Sequence, residues 1–369
     1  MSSPKILAAA ALVACACARE NAERHQLDGL LVVEDFDEPI CAGTFAFLER
    51  RLAVLERVTG LPRDPQGLVF HWIYRRDEIG EHCVEMAGAC APGRDFYGPL
   101  IAYSHELVHA HLSRLGRPRV WLVEGMATML DDAYLDAPDP EITPSDMLRI
   151  ESGLGLDYSS AGAFTAYLRD RYGMASLLDY YEATAGADID DSVATFREVF
   201  GDDFAAVEAD YLATFPRVAV GMLDCDVPEI ERAGDTWSHT FDLVCDEATS
   251  IGPQEWIDDP ERSLVWSGVT WNAAAGWYTF NLAASAEAYI TIQACDDPEA
   301  VYVWTDEPQT DAYLAGGRYL VSGEAYIDTS PTATIAVRPR SGPPDASPVR
   351  QLPPRARLRR LAGEHWPHS

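Results

Sequence analysis

Residues 105–109 read His-Glu-Leu-Val-His. On a helix of about 3.6 residues per turn, His105 and His109 lie one turn apart, roughly 40° from each other around the axis. Their imidazoles can therefore reach one ion at about 2.0–2.1 Å from each nitrogen. Glu106 is one step round the same helix, beside such an ion without being its ligand. That is the general-base position of an H-E-x-x-H segment, whose chemistry is hydrolysis by an activated water. Five residues alone are a weak signal, so the surrounding sequence must supply the rest of the site.

A catalytic zinc needs a third protein ligand and one open position. Glu124 is the candidate, in Trp121-Leu122-Val123-Glu124-Gly125-Met126-Ala127-Thr128-Met129-Leu130, beyond the turn Leu115-Gly116-Arg117-Pro118-Arg119. Two antiparallel helices joined by that turn would bring Glu124 beside both histidines. A carboxylate in such apolar company is costly to bury without a cation or partner, and a metal ion supplies one. His111 falls about 200° round the helix from His109, so it is expected to face away in a structural or solvent-facing role.

His105-Glu-Leu-Val-His109 followed by Trp121-Leu-Val-Glu124-Gly-Met-Ala resembles the gluzincin metallopeptidases, the clan of thermolysin and related aminopeptidases, whose third zinc ligand is such a glutamate. The later segment, residues 158–215, resembles the helical lobe of bacterial peptidase MA-like proteins. The resemblance spans roughly 28–215 and is strongest at 104–130. It implies Zn²⁺ on His105, His109 and Glu124, with Glu106 as general base. It also implies a tyrosine or histidine that stabilises the developing oxyanion; Tyr158 is the candidate, with Tyr167, Tyr172, Tyr180 and Tyr181 as competitors. Thermolysin-like enzymes often carry an acidic residue one turn after the glutamate ligand to hold a ligand histidine. Here that position is Thr128, which has no charge, leaving Asp131 and Asp132 as substitutes or as helix-end caps. In related peptidases a strand edge pairs with extended substrate, and Phe70, Trp72 and Tyr74 alternate along a candidate strand. A plainly packed aromatic strand explains them as well. No G-x-M-E-N-type segment precedes the helix, so endopeptidase action is preferred.

The elements that must position these residues follow from pattern. Residues 18–27 read as a polar linker and 29–35 as a strand. Residues 41–60 read as a helix with Leu48, Leu52, Leu55 and Val58 at helical spacing and Gly60 as its stop; 67–75 read as a strand. From 99 to 214 the pattern is helical, with helices expected over 99–115, 120–133, 160–172, 174–184, 190–200 and 203–214. Gly116, Gly173 and Gly201 act as stop signals. After Pro216 short apolar runs (263–271, 276–283, 288–295, 301–305, 316–323 and 332–339) alternate with turn residues, as in a β-sandwich. The expected class is α+β: a thermolysin-like zincin domain over 28–216, made of a small α/β lobe and a helical lobe, then an all-β sandwich over 225–338. A Pro/Arg-rich tail, 339–369, reads as disordered. Its basic cluster, Arg355, Arg357, Arg359 and Arg360, reads as solvated.

Bulk composition sets further bounds. The 369 residues are 47% hydrophobic, enough for two cores. With 59 acidic against 28 basic residues the formal charge is −31, which argues against nucleic acid as a partner. At the N-terminus, one lysine and the apolar run Ile6–Ala14 precede Cys15. Leu12-Val13-Ala14-Cys15 resembles a bacterial lipobox, giving a signal peptide over 1–15 and a lipid anchor at Cys15; an ordinary secretory signal is the alternative. Either exports the chain to the cell envelope or beyond. There the cysteines are expected in disulfides. Cys83 and Cys90 could bridge, and any two of Cys225, Cys245 and Cys295 could pair.

Together these readings predict a zinc-dependent peptide hydrolase acting on peptide or protein, its β segment a candidate binder of glycan or protein. Two alternatives remain: an envelope-anchored binding protein on a metal-stabilised zincin scaffold, and a zinc hydrolase of non-peptide amides.

Overall fold

A computed structural model describes residues 22–34, 38–73, 76–83, 89–99, 104–131, 138–214, 225, 227–230, 236–256, 259–295, 300–329 and 331–343. The segment expected to be a signal peptide, Cys15, Tyr74, Asp132, most of the expected domain boundary and most of the tail lie outside them. The first layer is a four-stranded sheet of β1 (Glu23–Gln26), β2 (Leu30–Glu34), β3 (Leu68–Trp72) and β4 (Asp95–Gly98), in that order. β1 is antiparallel to β2, while β2–β3 and β3–β4 are parallel. Between β2 and β3 runs α1 (Thr44–Thr59), whose Phe47, Leu48, Leu52 and Leu55 are buried against the sheet core. Gly60 closes α1 at φ 70°, a left-handed cap that glycine adopts without steric cost, its N–H donating to Glu56 O. A short turn of helix, α2 (Arg76–Ile79), precedes β4.

Two expectations change here. Glu23–Gln26 form an edge strand instead of a linker, because their backbone completes the ladder on β2. β3 is central, not an edge: it is paired on both sides, with Phe70 and Trp72 buried and Phe70 stacked on Phe96 at 4.7 Å. The packed-strand reading of those aromatics therefore holds, and the outer strand beside the helices is β4.

The helical layer follows as α3 (His105–Leu112), α4 (Val120–Leu130), α5 (Pro144–Met147), α6 (Tyr158–Tyr172), α7 (Met174–Ala183), α8 (Ile189–Phe200) and α9 (Phe204–Ala213). α3 begins at His105, not at 99, because Asp95–Gly98 is strand and the Gly98 carbonyl accepts from Ile73 N–H. α4 is buried from Trp121 to Leu130, as a helix apolar on all sides must be. It packs on α6 at Gly125, where a Cβ would meet Thr165 Oγ1 at 2.2 Å and the Ala161 carbonyl at 2.7 Å. Among the described residues no helix is long and apolar enough to cross a membrane.

The C-terminal strands are β5 (Trp237–Asp242), β6 (Ile251–Trp256), β7 (Asp259–Ala273), β8 (Gly276–Ala284), β9 (Ala288–Ala294), β10 (Ala300–Trp304), β11 (Gln309–Leu314), β12 (Gly317–Tyr326) and β13 (Thr332–Arg340). They form two antiparallel sheets, ordered β10-β9-β12-β7-β6 and β11-β8-β13-β5. The inward residues of both share one core, in which Trp271 of β7 contacts Trp237 of β5 and Tyr278 of β8. The class is mixed α+β.

The strand-rich region is fastened to α1. Cys41 is bonded to Cys245, Gly43 N–H donates to the Ser250 carbonyl at 2.8 Å, and Thr44 Oγ1 donates to the Gly252 carbonyl at 2.8 Å. Phe47 meets Trp266 edge to face at 5.3 Å, and Ile251 and Trp266 join the core of the helical and α/β layers. Among the described residues Cys83 is also bonded to Cys90 and Cys225 to Cys295.

Candidate metal centre

Ser104 caps α3 and the turn through Gly116 (φ 90°) reverses the chain into α4. The reversal lays Glu124 against both histidines: its Oε2 is 3.1 Å from His105 Nε2 and 3.1 Å from His109 Nε2. All three ligand atoms lie within 4.8 Å of one another. Tetrahedral ligands at about 2.0–2.1 Å from one ion would be roughly 3.4 Å apart, so the group is already near the spacing a metal requires. His105 and Glu124 are buried and His109 is half-buried. Two imidazoles and one carboxylate, converging where a lone carboxylate would be costly, could hold a divalent ion.

The electrostatics agree with a cation site. Burial alone would raise the Glu124 carboxyl, but hydrogen bonds to His105 and His109 outweigh it and hold the group well below the usual carboxylate range. Burial pushes Glu106 up to about 7; the charge of His105 opposes this and that of Glu124 adds to it. A half-buried carboxyl poised near neutrality beside the ligand group is suited to exchanging a proton.

Tyr158 opens α6 behind Asp157, whose carboxylate accepts from Ser160 N–H. Its ring is 5.8 Å from that of His105. Burial raises its phenol, and the charges of Glu124 and Glu106 raise it further, so the hydroxyl stays protonated across the neutral range. Gly153 leaves room for that hydroxyl: a Cβ there would sit 2.8 Å from it. Of the competing tyrosines, Tyr167 bonds Asp210, Tyr172 bonds Asp202 and Tyr180 bonds the Ser192 carbonyl. Tyr181 is buried, and its phenol is raised by burial and by the charge of Glu124.

His111 is buried and faces away from the group, its Nε2 3.1 Å from Thr59 Oγ1 on α1. Burial, with Arg114 adding to it, lowers its pKa to about 4. Thr128 is buried with its hydroxyl unpartnered and does not reach a ligand histidine. Asp131, the C-cap of α4, is the acid that faces His105: Oδ2 lies 3.9 Å from His105 Nδ1, and Oδ1 accepts from both the N–H and the hydroxyl of Ser104 at 3.2 Å. The Ser104 hydroxyl in turn accepts from Arg51 Nη2 at 2.6 Å. Sequence reading passed over Arg51. A signal was present: position 51 falls in the apolar stripe of α1, four residues from both Phe47 and Leu55.

Among the described residues one other histidine–acid group has ligand atoms equally close, Glu23, His25 and Glu34 on β1 and β2. Glu23 is exposed and the His25 ring packs on Phe45 at 4.6 Å, so ion pairing along a strand edge accounts for it.

No protein-family model matches this chain, and comparison with curated proteins returns no match. Among solved structures the chain is similar to a family GH115 4-O-methyl-alpha-glucuronidase, BtGH115A, at 10% identity and a TM-score of 0.16, over 64% of this chain and 38% of that one. It is also similar to Streptomyces albus HEPD with 2-hydroxyethylphosphonate and Fe(II) bound, at 15% identity and a TM-score of 0.11, over 55% and 48%. The chain spans less than half the length of either. Likenesses of that size leave the function to be read from the chain itself.

Proposed function

We propose that the protein is a zinc-dependent peptide-bond hydrolase of the gluzincin type, a thermolysin-like zincin with an appended β-sandwich. The observation that carries this is the convergence of Glu124 on His105 and His109, with Glu106 and Tyr158 beside them. Two imidazoles and a carboxylate are a donor set suited to zinc with one position left for water or substrate. When bound, Zn²⁺ supplies Lewis acidity that polarises a carbonyl and acidifies water. Glu106 takes the proton from the attacking water and delivers it to the leaving amine nitrogen, so the carboxyl ends as it began. Tyr158 donates its phenolic hydrogen to the oxyanion that develops on the former carbonyl oxygen. Asp131 keeps the His105 ring turned with Nε2 toward Glu124. The three disulfides among the described residues suit the export that the N-terminal lipobox-like pattern predicts, with Cys15 as the anchor and the cell envelope as the site of action.

The test is hydrolysis of an unstructured protein such as casein by the zinc-loaded chain and by Glu106→Gln. Loss of at least about 100-fold in the variant, with zinc retained, supports the assignment. Undiminished hydrolysis by Glu106→Gln removes Glu106 as the base.

A further inference from the structure

We infer that Arg51, on α1 and remote in sequence from every ligand, is a positioning residue that sets the metal affinity of the centre through Ser104 and Asp131. This rests on the metal-site reading above. Arg51 has 0% exposure and Asp131 2%. A carboxylate so buried holds its charge only where donors face it. Four groups form one line: Arg51 Nη2 donates to Ser104 Oγ at 2.6 Å, Ser104 Oγ and N–H donate to Asp131 Oδ1 at 3.2 Å, and Asp131 Oδ2 faces His105 Nδ1 at 3.9 Å. The line crosses three elements. Arg51 belongs to α1, Ser104 starts the helix that carries both histidines, and Asp131 ends the helix that carries Glu124.

The arrangement fixes two things a metal site needs. The Ser104–Asp131 pair pins the start of α3 to the end of α4, which sets how closely Glu124 approaches the two imidazoles. The Asp131 carboxylate faces Nδ1 of His105, the nitrogen that must carry the proton when Nε2 is the ligand atom. Arg51 polarises the Ser104 hydroxyl toward that carboxylate and offsets its charge. Thr128, at the position where an acid was expected, makes no such contact, so this longer route from α1 replaces it.

The full chain is stripped with a chelator and titrated with Co²⁺, read by its visible absorption, and with Zn²⁺ against a chromophoric chelator. Wild type is compared with Arg51→Met, Arg51→Lys, Ser104→Ala and Leu48→Ala. The last removes a buried α1 side chain outside the relay and controls for general destabilisation. Arg51→Met is expected to weaken both metals about 10–100-fold and to change the Co²⁺ spectrum, and Arg51→Lys to recover part of the loss. Leu48→Ala should lower the melting temperature and leave metal affinity within about two-fold of wild type. Ser104→Ala cuts the line with Arg51 in place and should weaken binding in the same direction, so it carries the test if Arg51→Met fails to fold. Wild-type affinity in Arg51→Met, or in Ser104→Ala where Arg51→Met does not fold, or equal weakening by Leu48→Ala, overturns the role of Arg51 alone. A wild-type chain that binds neither metal overturns the metal-site reading beneath it.

Discussion

At the scale of single residues, the proposed chemistry is divided among side chains that the chain brings together from four elements. The phenol of Tyr158 is the sharpest case, because its ring lies 5.8 Å from that of His105 while the residue is not one of the three candidate ligands. Tyr158→Phe should lower kcat by about 100-fold while zinc content stays at the wild-type level, since it removes one oxyanion donor and no ligand. Parallel assays of turnover and bound metal check this. Glu124→Gln should show the reverse pattern, losing metal and activity together. His105, Glu106, His109 and Glu124 were legible because spacing on a helix and an apolar neighbourhood are both written in sequence. The surroundings of His105 were only half legible. Asp131 was one of two named substitutes for Thr128, and Arg51 reads locally as one more charge on a helix. Its burial depends on contacts made 53 residues away, with Ser104.

At the scale of elements, the helices were readable because glycines end them, as Gly60 and Gly201 do in the left-handed conformation. The start of α3 was not, since the preceding Asp95–Gly98 has too few residues to show strand alternation before it joins β3. β1 was missed for the same reason. Close helix packing carries a prediction: Gly125→Ala should cost about 1–3 kcal/mol in urea unfolding, because the new methyl meets the Ala161 carbonyl and Thr165 and must push α4 from α6. A pH effect belongs to β12. Burial pushes the Glu324 carboxyl up to about 7, although the Tyr289 hydroxyl donates to it. The folded chain thus keeps that proton to higher pH than the unfolded chain, whose carboxyl has its ordinary value of 4.5. The associated stability is complete below about 4.5 and is lost as pH rises through about 7. The fall in urea midpoint between about pH 5 and pH 8 should be smaller in Glu324→Gln than in wild type.

At the scale of the whole molecule, the strand-rich region braces the helix that carries Arg51. Thr44, Phe47 and Arg51 lie within about 60° on one face of α1, and the first two are held by Gly252 and Trp266. The pairing of Cys41 with Cys245 could not be read from sequence, because 204 residues separate them and no local pattern marks either partner. Replacing both by serine should cost about 2–5 kcal/mol of stability, measured by denaturant unfolding with Cys83–Cys90 and Cys225–Cys295 intact. The central claim is more local: one divalent ion is held between α3 and α4. A crystal of the zinc-loaded full chain, with diffraction recorded just above and just below the zinc absorption edge, tests it directly. One strong anomalous peak is expected, present only above the edge, bonded by His105 Nε2, His109 Nε2 and a Glu124 oxygen. No peak there, or a zinc ion bound with Glu124 turned away, would contradict it.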